Sequence, residues 1–370
     1  MMTAERPLWL IESPDHSGVS FAARNLVAGM IRQGLAMEVF ALRDGESAED
    51  FRLLGCEVKI YPHMGSRFLG GSALDEARLL QTGIVHAKTP ALIKRGLSLA
   101  KKLNVPLVAT ANRMEDEELK QLVKFPGQGV VAVSEALRER LANSAGIPSS
   151  HIRVIPNGLD LTRIDKPNFT HQTLIPGRLP VVGTLGQLAE RKGQRVFLQA
   201  VKELLTRGLD AEFVILGDGP DRVALRNLAK ELNVAKRVTF TPQTVSGQLT
   251  QLDVLVEPSL QEGLGLSVMQ AMAMGVPVVG TGVGGLYSLI EDGKTGIMVP
   301  ANNPAALADA IWRILSDPIE RVDMARQARE LIEAVFNVDL VAGKMDQYYK
   351  EIISEFHGWR NQNTSFGARG

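Results

Sequence analysis

The chain has a single cysteine, Cys56, among its 370 residues. That excludes an intrachain disulfide framework and fits a reducing compartment. Histidine is scarce at six residues, and none shows the paired spacing of a zinc site. The formal net charge is zero, so no basic field argues for nucleic acid as a partner. No stretch approaches the roughly 18 apolar residues that a membrane span needs. The N-terminal apolar run Pro7–Ile11 is short for a signal-peptide core and is flanked by Glu5 and Glu12. These absences predict a cytoplasmic protein, at most peripheral on a membrane.

What is present is an ordinary globular composition, 45% hydrophobic and 22% charged, on a chain longer than one core usually supports. Short apolar runs ("LWLIE", "MEVFAL", "GIVHA", "PLVATA", "GVVAVS", "HIRVIP") alternate with amphipathic stretches such as "VSFAARNLVAGMIRQG". Continuous apolar strands separated by helices predict a parallel sheet covered on both faces. A proline-rich polar stretch, 165–180, reads as a linker. The alternation then restarts with "VVGTLG", "AEFVILGDG", "RVTFTP", "DVLVEPS", "VPVVGTG" and "GIMVP". The fold class expected is α/β: two doubly wound, Rossmann-like parallel-sheet domains facing across a cleft. The domains expected are 1–168, 169–335 and a C-terminal helix, 336–360, packing back on the first. The last ten residues read as disordered.

Ligands of such sheets bind outside the carboxyl ends of the strands, which singles out the turns there. Ser17 and Gly18 open a helix whose free amides favour an anion; a plain turn capped by Ser17 is the bland alternative. Arg191 and Lys192 precede a helix where a cation can neutralise a diphosphate, or form a solvated pair. "LGDGPDR" (216–222) predicts a turn with Pro220 first in a helix, and Gly217 forms at most a wall for a nucleotide base. "EPSLQEGLGLSVMQAMAMG" places Glu262 beside the amides of Gly263 and Gly265, a pairing suited to sugar hydroxyls and phosphate oxygens. If a helix begins at Leu266, Gln270 lies about one turn inside, within reach of a ribose diol.

Other candidates have two readings. Glu115–Glu118 resembles a metal-binding acidic pair or a solvated helix face. His86 is a cleft residue or a hydrogen-bonded structural histidine. Lys94, Arg95, Lys101 and Lys102 make one helix basic, for solvent or for a membrane surface. Phe68 and Leu69 in the loop "YPHMGSRFLGGSALDE" shape an acceptor side or belong to the core.

In order and spacing, "SGVS", "VAVSEALRERL", "VIPNGLDL", "RKGQ", "LGDGPDR", "VLVEPSLQEGLGLSVMQAMAMGVPVVGTGVGG" and "EDGKTGIMVP" make the chain resemble the retaining GT-B glycosyltransferases of the family four group. That group includes bacterial lipopolysaccharide-core and phosphatidylinositol transferases. The resemblance spans nearly the whole chain. It implies a hexose-type transfer from a nucleoside-diphosphate sugar to a hydroxyl of a glycan or lipid-linked acceptor, with no metal or other cofactor. It places Ser17, Gly18 and Lys192 at the diphosphate. Glu262 and the backbone of Gly263, Leu264, Gly265 and Leu266 go to the donor sugar, with Gln187 by the diphosphate, Gln270 at the ribose and Gly217 beside the nucleotide. Four positions depart from the family pattern: Gln270 replaces the second carboxylate, Gln187 an arginine, Asn112 a histidine and Ser288 a glutamate. The departures leave two readings open, an active transferase using Glu262, Lys192 and Asn112, or a degenerate binding scaffold. An epimerase on the same architecture is a third, for which the "EGLGLSVMQAMAMG" stretch gives less support.

Overall fold

Thirteen short strands and twelve α-helices occupy the described residues of the computed structural model, which are 6–64, 71–123, 125, 127–167, 169, 177–242 and 246–367. The loop residues Phe68 and Leu69 and half of the expected linker lie outside these. The chain divides into two units, Met1–Asp160 with Asn337–Gly370, and Leu161–Phe336. The sequence places the boundaries at 168 and 335, a few residues from these. Within the first unit, Leu159 bridges to Asn337. A Cβ on Gly158 would lie 2.7 Å from Val338 Cα, so the two chain passages touch through backbone.

The first unit runs β1 (Arg6–Ile11), α1 (Gly18–Arg32), β2 (Glu38–Ala41), α2 (Ala48–Leu53), β3 (Glu57–Ile60), α3 (Gly71–Leu79), β4 (Thr82–Ala87), α4 (Ile93–Leu103), β5 (Leu107–Ala111), α5 (Asp116–Leu122), β6 (Gly129–Ala132), α6 (Glu135–Ala145) and β7 (Ile152–Val154). All pairings are parallel, in the order β3-β2-β1-β4-β5-β6-β7. Strands β4, β5 and β6 are buried at every residue, which is why they read as unbroken apolar runs. Strand β3 was not among the runs read from the sequence. Its "EVKI" has only Val58 buried, as suits an edge strand.

Helix α12 (Val338–Gly367) returns to this unit. It lies so close to α1 that a Cβ on Gly29 would come 2.8 Å from Val338 O. Trp9 Nε1 donates to Tyr349 Oη at 2.9 Å, and Arg32 joins Asp160 at 3.1 Å and Asp339 at 2.8 Å. The disorder expected over 361–370 gives way to helical backbone as far as Gly367, because no proline or glycine interrupts 359–366.

The second unit contains β8 (Val181–Leu185), α7 (Gln194–Thr206), β9 (Glu212–Leu216), α8 (Arg222–Glu231), β10 (Val238–Thr241), β11 (Val254–Glu257), α9 (Leu266–Ala273), β12 (Val278–Thr281), β13 (Ile297–Val299), α10 (Pro304–Ser316) and α11 (Pro318–Val335). Its sheet is parallel, in the order β10-β9-β8-β11-β12-β13. Phe197 and Phe213 meet edge to face at 6.3 Å in its core, each fully buried and each stabilising by about 1.5–3 kcal/mol through burial. Two helix starts differ from expectation. Helix α8 begins at Arg222 rather than Pro220, since Asp221 N is engaged by Leu188 O at 3.1 Å. Residues 190–192 form one 3₁₀ turn, and α7 starts after Gly193. Among the described residues, no helix is long and apolar enough to cross a membrane.

Candidate active site

The order of the second sheet reverses between β8 and β11, and a doubly wound sheet opens a crevice at such a point. Two loops rise there, one after β8 (186–193) and one after β11 (258–265). Leu260 N donates to Arg191 O at 2.7 Å and ties them together. Gly193 is left-handed (φ +67°), and a Cβ there would lie 1.9 Å from Pro258 O. Only glycine allows that approach, and it fixes the turn carrying Lys192 against the end of β11.

Lys192 is the centre of the site. Its Nζ pairs with Glu262 Oε2 and lies 3.3 Å from Glu257 Oε1. Desolvation pulls the pKa of the ammonium down. Glu257 and then Glu262 more than offset this and raise its pKa to about 12. Burial likewise opposes the Glu262 charge, but Lys192 and the Gly263 amide, 3.1 Å from Oε1, hold its pKa below the usual carboxylate value. The second carboxylate, Glu257, was not singled out from the sequence. It ends β11, is 1% exposed, and accepts from Ser259 Oγ at 2.5 Å and from Ser267 Oγ. Its visible signal is a charged residue closing an otherwise apolar strand, with a serine two residues on.

The other residues expected in this unit take distinct places. A Cβ on Gly284 (φ +51°) would lie 1.9 Å from Glu262 O, and Gly285 N donates to that oxygen at 3.1 Å; the later glycine pair therefore forms the wall behind the Glu262 loop. Gly265 (φ +103°) precedes α9, which starts at Leu266 as expected. Leu264 is buried in the core. Gln270 is half-buried on α9, one turn after Ser267. Gln187 is exposed, and its Oε1 accepts from Arg191 Nη2 at 3.0 Å. Gly217 packs backbone to backbone, where a Cβ would lie 1.9 Å from Gly186 O. Ser288 is exposed.

In the first unit the sheet reverses between β1 and β4. Ser17 caps α1, accepting from Ser20 N at 3.3 Å, and Asp15 Oδ1 accepts from Ser17 N at 3.0 Å. Gly18 is exposed at the helix start, but Asp15 already supplies a negative group to this end of the helix. Asn112, just after β5, donates from Nδ2 to Lys88 O at 2.9 Å, and its amide donates to Glu118 Oε1 at 2.8 Å. Glu118 is thus engaged rather than part of a solvated face, and its burial raises its pKa. A cavity of about 360 Å³ opens at these strand ends, lined by Glu12, Thr89, Arg113, Glu115, Glu117 and Glu118 among others.

His86 is structural. It is fully buried between Tyr349 Oη (2.5 Å from Nδ1) and Thr110 Oγ1 (2.7 Å from Nε2). Burial and then Lys88 hold its pKa well below the ordinary value. Lys88, overlooked in the sequence, has its ammonium 4.2 Å from the Trp9 ring centroid. It has no ionic partner among the described residues, and burial lowers its pKa to about 7.

Two family models match the chain, "Glycosyltransferase Family 4" over residues 16–163 and "Glycosyl transferases group 1" over 179–317. An α-D-kanosaminyltransferase of Streptomyces kanamyceticus is 27% identical over 87% of this chain and 79% of its own. A D-inositol 3-phosphate glycosyltransferase of Paenarthrobacter aurescens is 31% identical over 70% of each chain. Among solved structures, Anabaena HepE in complex with UDP and glucose superposes with a TM-score of 0.82 at 20% identity, covering 94% of this chain and all of that one.

Proposed function

The chain belongs to the family 4 glycosyltransferases of GT-B fold, and from that premise we propose that it transfers a hexose-type sugar, with retention, from a nucleoside-diphosphate donor. The acceptor in this reading is a hydroxyl of a glycan or lipid-linked glycan. The observation that carries it is Lys192, a half-buried, charged ammonium held among glycine turns at the reversal point of the second sheet. HepE, with the same fold, was solved with UDP and glucose.

Lys192 meets the diphosphate, where charge grows as the bond to the sugar breaks. Glu262 and the amides of Gly263 to Gly265 take the sugar hydroxyls, and Gln270 takes the ribose. The C1–O bond to the diphosphate breaks while a new C1–O bond to the acceptor forms on the same face. The acceptor proton passes to the departing phosphate oxygen, so the protein mainly positions reactants and stabilises charge. Asn112 and the cavity of the first unit serve the acceptor side. Four carboxylates against one guanidinium there suit a hydroxyl-rich or amine-bearing acceptor better than a phosphorylated one. The exposed basic residues of α4, Lys94, Arg95, Lys101 and Lys102, suit peripheral contact with an anionic membrane carrying a lipid-linked acceptor, on its cytoplasmic face.

A transfer assay over a donor and acceptor panel tests this reading, with the anomeric configuration of the product read by proton NMR. An axial linkage from an axial donor, persisting in EDTA, is expected. Inversion would remove the same-face step, and loss of transfer in EDTA would remove Lys192 as sufficient neutralisation.

A further inference from the structure

Glu262 and Glu257 both contact Lys192, but they are held very differently. Glu257 closes β11, an inner strand between β8 and β12, and two serine hydroxyls hold its carboxylate. Its Oε1 accepts from Ser259 Oγ and faces Lys192, and its Oε2 accepts from Ser267 Oγ on the first turn of α9. The bracket extends further, since Thr281 Oγ1 donates to Ser259 O at 2.5 Å from the end of β12. Glu262 stands on a loop and has, besides Lys192, one amide, that of its neighbour Gly263. A diphosphate arriving at Lys192 cannot share that ammonium with two carboxylates without like-charge repulsion. The carboxylate able to leave is Glu262.

We propose that Glu257 is a positioning residue, the standing counter-ion that holds Lys192 in place, while Glu262 is an exchangeable latch that leaves Lys192 for the hydroxyls of the donor sugar. This rests on the donor reading given above. Bare nucleoside diphosphate then breaks the latch without replacing it, whereas a nucleotide sugar gives Glu262 new donors. Besides the two carboxylates, the charged group that acts on Lys192 is Arg191, which opposes its charge.

The test is calorimetric binding of UDP, GDP and ADP, each alone and as its glucose conjugate, to wild type, Glu257→Gln, Glu262→Gln and Ser267→Ala. Thermal melts check that each variant is folded. Glu257→Gln is expected to weaken both diphosphate and conjugate about tenfold to a hundredfold, with Ser267→Ala weaker in the same direction. Glu262→Gln is expected to tighten the bare diphosphate while weakening the conjugate. Tighter diphosphate binding by Glu257→Gln would mean that this carboxylate only repels the donor. Equal loss of bare diphosphate in both glutamate variants would make Glu262 the standing counter-ion. Either result overturns the proposal. A ligand-free readout, the Lys192 side-chain NMR titration, separates this from failure of the donor reading: a midpoint unmoved by Glu257→Gln overturns the proposal even if no nucleotide binds.

Discussion

Two lysines lie beyond strand ends, one in each unit, and their charges are set in opposite directions. Lys88 follows β4, rests on the Trp9 ring and has its pKa lowered to about 7. Lys192 follows β8, sits between two carboxylates and has its pKa raised to about 12. Desolvation acts on both. Opposite charge within hydrogen-bonding distance decides the sign. The first unit therefore holds an ammonium that gives up its proton easily, beside a neutral His86. The second holds one that stays charged through the physiological range, as the proposed diphosphate contact needs.

The largest expected effect of breaking this contrast is on turnover. Lys192→Ala removes the cation and strands two carboxylates, one of them, Glu257, fully buried. A steady-state transfer assay is expected to show at least a thousandfold lower kcat/KM, on the order of 4 kcal/mol. A loss below tenfold would place the charge centre elsewhere.

Lys88→Met tests the other lysine through stability. Its folded-state pKa lies below the ordinary value of 10.5, so the unfolded chain binds the extra proton between about pH 7 and 10.5. Stability contributed by this group therefore rises with pH across that window and is lowest below it. Lys88→Met is expected to stabilise at neutral pH by about 2–4 kcal/mol and to flatten the alkaline rise in Tm. An unchanged Tm profile would show that the cation–π contact compensates fully.

Tyr349→Phe comes next. It leaves Trp9 Nε1 and a His86 nitrogen without their shared partner and is expected to cost about 1–3 kcal/mol in denaturant unfolding. The smallest effect is expected from Gln270→Glu. A charged ribose contact exceeds a neutral one by about 1 kcal/mol, so donor KM should fall several-fold, up to about tenfold. A rise in KM would show that Gln270 is fitted to its surroundings.

Much of this was legible in the sequence, for local reasons. The six strands of the second unit each carry their β-branched or apolar residues within one short stretch. The Glu262 loop carries its glycines within three residues. Glu257 and Lys88 were harder to read because their meaning is not local. Glu257 matters through Lys192, 65 residues earlier in the chain, and Lys88 through the ring of Trp9 on the neighbouring strand. Likewise, Lys192 and Glu262 were assigned separately to diphosphate and sugar, whereas the fold pairs them with each other. A residue pattern reveals which groups lie near a strand end; their mutual charge state needs the sheet order.

The most direct measurement is calorimetric titration of wild type and Lys192→Ala, side by side, with the glucose conjugates of UDP, GDP and ADP. Wild type is expected to select one base, and Lys192→Ala to weaken that donor at least about a hundredfold. Equal affinity in the two proteins, or no binding of any donor by wild type, would contradict this.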